Sequence, residues 1–372
     1  MHRELFARSV ETWFMVARRP LPWRKDRTPY SVWVSEVMLQ QTQASVVIPY
    51  FYRWMRAFPS IPHLARSSLD QVFKIWEGLG YYARARHLHE GARELMAKYG
   101  GRFPRGKAEE IRKIKGIGPY TAAAIVNFAF EERAAAVDGN VLRVVARHEG
   151  IEDPVDVITT VRMVEQRVLS LLPREKPWIT MEGLIELGAL LCRKNPQCDP
   201  CPIRRSCQAF LLRKTSYLPV KSRERRACFR LRRLVAVVYT EDSLLLRRGE
   251  KGRAMADLWE FPYFEVGEDH SITPEKALAI VQRDFPFPLE QQEELPRVTH
   301  TFTHHRALLI PYSWKANCSE ACSPYQWVPF QHLPFCFFSS GHRRILHSFY
   351  ARSQRGCALS KGRTIPGPSQ GV

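Results

Sequence analysis

Two carboxylates and four cysteines carry most of the chemistry this chain has to offer. Glu36 lies within residues 21–43, LPWRKDRTPYSVWVSEVMLQQTQ, among Val34, Val37, Met38 and Leu39. A carboxyl with so few polar neighbours invites burial. Burial disfavours the anion, raises the pKa and makes a general acid near neutrality. A helix-surface glutamate fits the same string, and on these residues alone it fits better. Asp138 lies within residues 134–148, AAAVDGNVLRVVARH, just before a periodicity carried by Val141, Val144 and Val145. Asp is a favoured helix N-cap and Asp-Gly a common turn, so by itself Asp138 reads as structural.

The cysteines are the sharper signal. Cys192, Cys198, Cys201 and Cys207 give C-x5-C-x2-C-x5-C within sixteen residues. Four thiolates on one short loop suit a [4Fe–4S] cluster. Zinc is the rival. Structural zinc sites pair two close couples across a dozen or more residues, and here only Cys198–Cys201 is a close couple. The spacing favours the cluster. The other cysteines (Cys228, Cys318, Cys322, Cys336 and Cys357) are scattered, and the odd total of 9 does not suggest a disulfide framework.

Other elements must position these groups. In residues 113–130, KIKGIGPYTAAAIVNFAF, a helix is expected to end at Lys115. Gly116-Ile117-Gly118 then makes a tight turn, and Pro119 suits the first position of the next helix. Two glycines let backbone N–H groups approach a phosphate, and a helix N-terminus adds positive potential. A helix–hairpin–helix gripping a DNA backbone has this form, and so has a plain helical hairpin.

Residues 1 to about 215 read as mainly helical. Leu88, Ala92, Leu95 and Tyr99 share one helix face, stopped by Gly100-Gly101. Ser68 with Gln71 resembles a capping box. Leu5, Val10, Trp13 and Phe14 sit at roughly helical spacing near the N-terminus. Residues 203–233 hold eleven Lys or Arg against one acid, Glu224, and a basic linker is expected over 213–228. Beyond it, LVAVVYT (234–240) and LLLRR (244–248) read as strands, 275–284 as a helix, and 297–314 as strand, loop and strand. This α+β half ends near 350. The tail 351–372 has four basic residues and no acids, and is expected to be disordered.

At 372 residues the chain fits two domains. Its 56 Lys plus Arg against 37 Asp plus Glu give a net charge of +19, which suits a polyanionic partner. No run of 18 apolar residues exists, and the N-terminus lacks a signal-peptide core. A soluble intracellular protein is the expectation, which weakens the membrane explanation of the charge.

LPWR, TPYSVWVSEVMLQQTQ, GLGYYARAR, IKGIGPYTAAAI, VDGNVLRV and the four cysteines, in this order, resemble the adenine DNA glycosylase (MutY) family. The likeness covers nearly all of residues 20–210. HTFTHH and LWEFP (258–262) extend it less strongly into the second half. The resemblance implies an α-helical, two-lobed catalytic domain over 1–212, holding the hairpin and the iron–sulfur loop, and a Nudix-like α+β domain over 229–350.

It also implies roles. Glu36 would protonate the departing adenine, and Asp138 would stabilise the cationic sugar beneath C1′, with a short-lived covalent adduct as one route. The adenine must first be flipped from the stack. Tyr120 and Asn140 would support Asp138 and the intermediate. Trp23, Arg24, Leu39 and Glu186 would line or brace the adenine pocket. Gln41 and Tyr82 would wedge near the lesion pair, while Gly116 and Gly118 hold the backbone. Phe302, Thr303 and His304 match a loop that senses 8-oxoguanine opposite adenine. Cys192, Cys198, Cys201 and Cys207 would hold the [4Fe–4S] cluster.

The chain departs from the family at three places. The first cysteine gap is five residues where six is usual. Thr303 replaces a serine. No R-E-x-x-E-E box follows LWEFP, so the second domain is expected to bind a lesion base and not to hydrolyse nucleotides. Endonuclease III-like enzymes share the fold but use a hairpin lysine as a Schiff base. Tyr120 stands at that position and Leu142 where other relatives carry a lysine, which implies base removal without strand cleavage. A non-catalytic damage-binding protein is opposed by the joint presence of Glu36, Asp138, Tyr120 and Asn140.

Overall fold

The computed structural model describes residues 2–105, 108–222, 229–250, 256–267, 272–302 and 305–357. The contacts divide the chain into two units, 1–79 with 84–225 and 80–83 with 226–372.

The first unit is helical. In chain order the helices are α1 (His2–Ala17), α2 (Pro29–Leu39), α3 (Ala44–Ala57), α4 (Ile61–Arg66), α5 (Leu69–Trp76), α6 (Tyr82–Tyr99), α7 (Ala108–Arg112), α8 (Pro119–Ala124), α9 (Gly139–Glu149), α10 (Ile158–Leu171), α11 (Pro177–Leu190) and α12 (Gln208–Leu211). Thr28 caps α2 by accepting from Ser31 N, and Pro29 presets the first turn. Every residue of α2 from Tyr30 to Met38 is buried, so Glu36 sits on a helix with no wet face. Ser68 and Gln71 form the expected capping box of α5. Leu88, Ala92 and Leu95 are buried along α6, and Gly100 and Gly101 end it at φ of 59° and 77°. In α1 the buried face is Phe6, Val10 and Phe14, at i, i+4 and i+8; Leu5, expected there, is 64% exposed.

Two expectations shift. The helix before the hairpin ends at Arg112, not Lys115. There Lys113 N and Ile114 N bond the carbonyls three residues back, tightening the last turn. The expected linker is laid along residues 152–156 over much of its length: Lys214 pairs with Glu152, Val155 N donates to Val220 O at 3.0 Å, and Ser222 N and Oγ donate to Asp156 at 2.8 and 2.7 Å. Residues 223–228 lie outside the described ones.

The second unit holds β1 (Phe229–Tyr239), β2 (Ser243–Arg248), β3 (Trp259–Glu260), β4 (Tyr263–Glu265), α13 (Pro274–Gln282), β5 (Leu289–Glu294), β6 (Val298–Phe302), β7 (His305–Ala316), β8 (Gln326–Pro329) and α14 (Ser340–Cys357). The main path runs β3-β2-β1-β7-β5, with β1 and β7 parallel from Phe229↔His305 to Tyr239↔Lys315. The apolar run at 234–238 is explained by two covered faces. Leu234, Ala236 and Val238 pack with Val281 of α13, while Val235 and Val237 pack with Ile345 and Phe349 of α14. The helix α14 continues through Cys357, so residues 351–357 are helical where a disordered tail was expected; 358–372 lie outside the described residues. Among the described residues no helix is long and apolar enough to cross a membrane.

Candidate active site

A cavity of about 750 Å³ in the helical unit gathers side chains from α2, α8, α9, α11 and the segment before α2. Glu36, Tyr120, Asp138, Asn140, Trp23, Arg24, Leu39, Gln41 and Glu186 all line it. Tyr82, which opens α6, and the hairpin glycines are not among its lining residues.

Glu36 is 8% exposed, and the Tyr120 hydroxyl donates to its Oε2 at 2.7 Å. Burial pushes the Glu36 carboxyl up to about 7; the Tyr120 bond opposes this, and the Asp138 and Glu182 charges reinforce it. Asp138 is both a helix cap and a pocket carboxylate. As N-cap of α9, its Oδ1 accepts from Asn140 N at 2.9 Å and Val141 N at 2.8 Å, while Oδ2 faces Asn140 Nδ2 at 2.7 Å. Burial raises the Asp138 carboxyl above its ordinary value, against the pull of these bonds and the Arg143 charge.

Asn140 is itself held. Arg143 Nη2 donates to Asn140 Oδ1 at 2.9 Å and to Gly188 O at 2.8 Å, and its Nε donates to Cys192 O at 2.6 Å. Gly188 lets α11 approach this corner: a Cβ there would stand 2.6 Å from Asn140 Cβ and 2.9 Å from its carbonyl oxygen. Gly188→Ala must therefore displace the start of α9. The expected result is a single-turnover rate lowered about tenfold or more, since a misplacement near 1 Å can cost that much. A wild-type rate would show that the corner yields without moving Asp138.

The pocket rim is a lattice of arginines and glutamates. Glu186 is fully buried, taking Arg19 N, Nε and Nη2 at 2.9, 2.8 and 2.9 Å and Arg24 Nη2 at 3.0 Å. Burial pushes its carboxyl up, but these bonds outweigh burial and hold it at about 2. Glu186 is thus saturated and braces the wall. Sequence reading missed Glu182, one turn earlier on α11 and 7% exposed. Arg27 Nη2 lies 3.2 Å from its Oε2 and Arg24 Nε 3.3 Å, while Arg27 stacks 3.6 Å over Trp178. The signal was available: two glutamates at i and i+4 in an otherwise apolar helix, opposite three arginines before α2.

At the hairpin, Gly116 has φ 78°, and a Cβ there would meet His87 Cβ at 2.4 Å; Gly118 is the N-cap of α8, with Pro119 in its first turn. Gln41, just beyond α2, has φ 57° and is exposed. Phe302 ends β6, whereas Thr303 and His304 fall outside the described residues.

Cys192, Cys198, Cys201 and Cys207 line one further cavity, walled by Val144, Leu187, Ile203 and Phe210. The fit to a metal–thiolate group is good in donor chemistry: soft sulfur ligands in an apolar wall. Burial pushes the Cys201 thiol up to about 11 and raises Cys198 and Cys207. Among the described residues no group of three or more His, Cys, Asp or Glu is arranged to hold a metal ion.

A helical unit with a glycine hairpin, a capped pocket aspartate and a buried glutamate defines a class. Residues 34–174 match the HhH-GPD superfamily of base excision DNA repair proteins, and residues 234–348 match the NUDIX domain. The solved structure of a thermostable thymine-DNA glycosylase superposes with a TM-score of 0.53 at 28% identity, covering 56% of this chain and 97% of that one. Among curated proteins, the chain is 33% identical to the adenine DNA glycosylase of Buchnera aphidicola subsp. Baizongia pistaciae over 70% of its own length and 74% of the relative's. It is 30% identical to that of Mus musculus over 98% of this chain and 81% of the relative's. It is also 35% identical to the Arabidopsis thaliana enzyme, of which it spans about half, 54%. The chain belongs to the adenine DNA glycosylase family.

Proposed function

We propose that this protein is a monofunctional DNA glycosylase that excises adenine mispaired with 8-oxoguanine or guanine, in duplex DNA, by hydrolysis of the N-glycosidic bond. The observation that carries this reading is the pairing, in one cavity, of a buried Glu36 poised at about 7 with a hydrogen-bonded Asp138 at a helix N-terminus.

The proton on Glu36 passes to a ring nitrogen of the flipped adenine. The C1′–N bond then breaks, with its electron pair leaving on the base. Asp138 faces the cationic sugar, and its orientation is held by Asn140 and Val141 N–H groups. Water adds at C1′ and its proton returns to a carboxylate, leaving an abasic site. Tyr120 orients Glu36 by its 2.7 Å bond. Trp23, Arg24, Leu39 and the braced Glu186 shape the adenine pocket, and Glu182 joins them. Gln41 and Tyr82 act at the lesion pair, Gly116 and Gly118 at the phosphate backbone, and Phe302, Thr303 and His304 at 8-oxoguanine. The charge of +19 supports a DNA partner. A monomer at the nucleoid of the cytoplasm is the setting we assign.

The four cysteines are assigned to a [4Fe–4S] cluster, which would tie their loop together when bound. The four sulfurs line one cavity, and their crowding on a single sixteen-residue loop with one close couple supports a polynuclear group over zinc.

Tyr120 at the hairpin offers no amine for a Schiff base. Duplex treated with the protein should therefore stay intact until hot alkali is added, and borohydride should trap no adduct. Strand breaks before alkali, together with a trapped adduct, would replace this reading with the endonuclease III-like one.

A further inference from the structure

Arg147 lies on α9 one turn beyond Arg143 and is 3% exposed. Its Nε donates to Leu218 O at 2.8 Å. Its Nη1 donates to Arg193 O at 2.6 Å and reaches Cys192 Sγ at 3.4 Å, and its Nη2 donates to Lys194 O at 3.1 Å. Its own carbonyl accepts from Cys207 Sγ at 3.5 Å. One residue thus holds the first and last cysteines of the loop, including part of the short gap between Cys192 and Cys198.

The charge is not balanced in the same way. Carbonyl oxygens satisfy N–H groups but carry no net charge, and a buried unpaired cation is costly. Among the described residues no carboxylate pairs with Arg147. The nearby acids are engaged elsewhere: Glu149 with His148 and Arg167, Asp199 with Arg204, Glu152 with Lys214. Arg143, a half-buried cation one turn earlier on α9, also donates to a carbonyl of this loop and adds no negative charge. The titratable groups that line a cavity with Arg147 are the four cysteines and Arg204, and Arg204 already pairs with Asp199. Zinc and iron–sulfur tetrathiolates are both net anions.

We propose that Arg147 is the built-in counter-cation of the cysteine site: its buried charge is balanced by the thiolates of a bound metal–thiolate group. In return its fork of donors holds the loop ends where those thiolates gather. This inference rests on the assignment of the four cysteines as metal ligands.

The test compares the full-length protein with Arg147→Gln, which keeps donors but loses the charge, and Arg147→Lys, which keeps the charge but loses the fork. Iron, zinc and acid-labile sulfide are measured per chain. Denaturant midpoints are then taken before and after metal removal. In wild type, metal removal should lower the midpoint strongly, because it strands the cation. In Arg147→Gln the metal content should fall at least about twofold, and the drop in midpoint on metal removal should be clearly smaller than in wild type. A purely structural arginine would lower both midpoints equally, and that result overturns the proposal. If the glutamine variant does not fold, Arg147→Lys decides: metal content near wild type supports the charge role, and complete loss refutes it. A wild-type protein holding neither metal overturns the underlying assignment of the cysteines instead.

Discussion

Asp138→Asn is expected to lower single-turnover adenine release by about 10³-fold or more while leaving duplex binding within about twofold, because the lost interaction is made only with the transition state. The amide keeps the shape of the side chain. Its oxygen can still accept from Asn140 N and Val141 N, so the α9 cap persists. What disappears is the anion beneath a sugar that becomes cationic. About 10³-fold corresponds to about 4 kcal/mol of barrier, the size of one well-placed charge in a water-poor site. The substitution has a second signature. The Asp138 charge helps hold Glu36 up, so its loss should lower the Glu36 pKa and move the alkaline limb of the residual activity to lower pH. Near-normal release would show that Asp138 is only a cap.

The second large effect concerns Glu36 and pH. An acid must carry its proton, and Glu36 holds it to about 7. The wild-type rate should therefore be highest below about 7 and fall about tenfold per pH unit well above it. At the acid end Asp138 must be ionised. Its carboxyl is raised by burial, so the acid limb should lie above the ordinary aspartate range. Glu36→Gln cannot donate: the rate should fall by about 10²–10³-fold, and the alkaline limb should vanish. If that limb survives in Glu36→Gln, another group is the acid.

The site was legible in unequal parts. Apolar periodicity and punctuation gave the positions of α5, α6 and the hairpin, because Ser68, Gly100 and Pro119 act locally. The strands β1 and β2 were legible as apolar runs for the same reason. By contrast β5, LEQQEE, carries almost no strand signal, since its pairing with β7 comes from the sheet and not from its residues. The start of α14 and the packing of residues 214–222 on 152–156 likewise depend on distant partners.

The carboxylates show the same division. Glu36 in isolation read better as a surface residue, yet nine consecutive buried positions of α2 enclose it. Its neighbours in sequence hinted at this, but only the packing of α2 against α3 and α8 decides it. Asp138 read as a cap, and it is one; the cap geometry is what aims its second oxygen and Asn140 into the cavity. Glu182 escaped notice because its partners Arg24 and Arg27 are more than 150 residues away.

The most direct test identifies the released base. The purified protein is incubated with a duplex carrying one adenine opposite 8-oxoguanine, and the small-molecule fraction is resolved by chromatography and mass spectrometry. Free adenine, in step with alkali-labile sites and with intact strands before alkali, is the predicted result. Absence of free adenine from metal-loaded protein that binds the duplex would contradict the assignment of Glu36 and Asp138 as its catalytic pair.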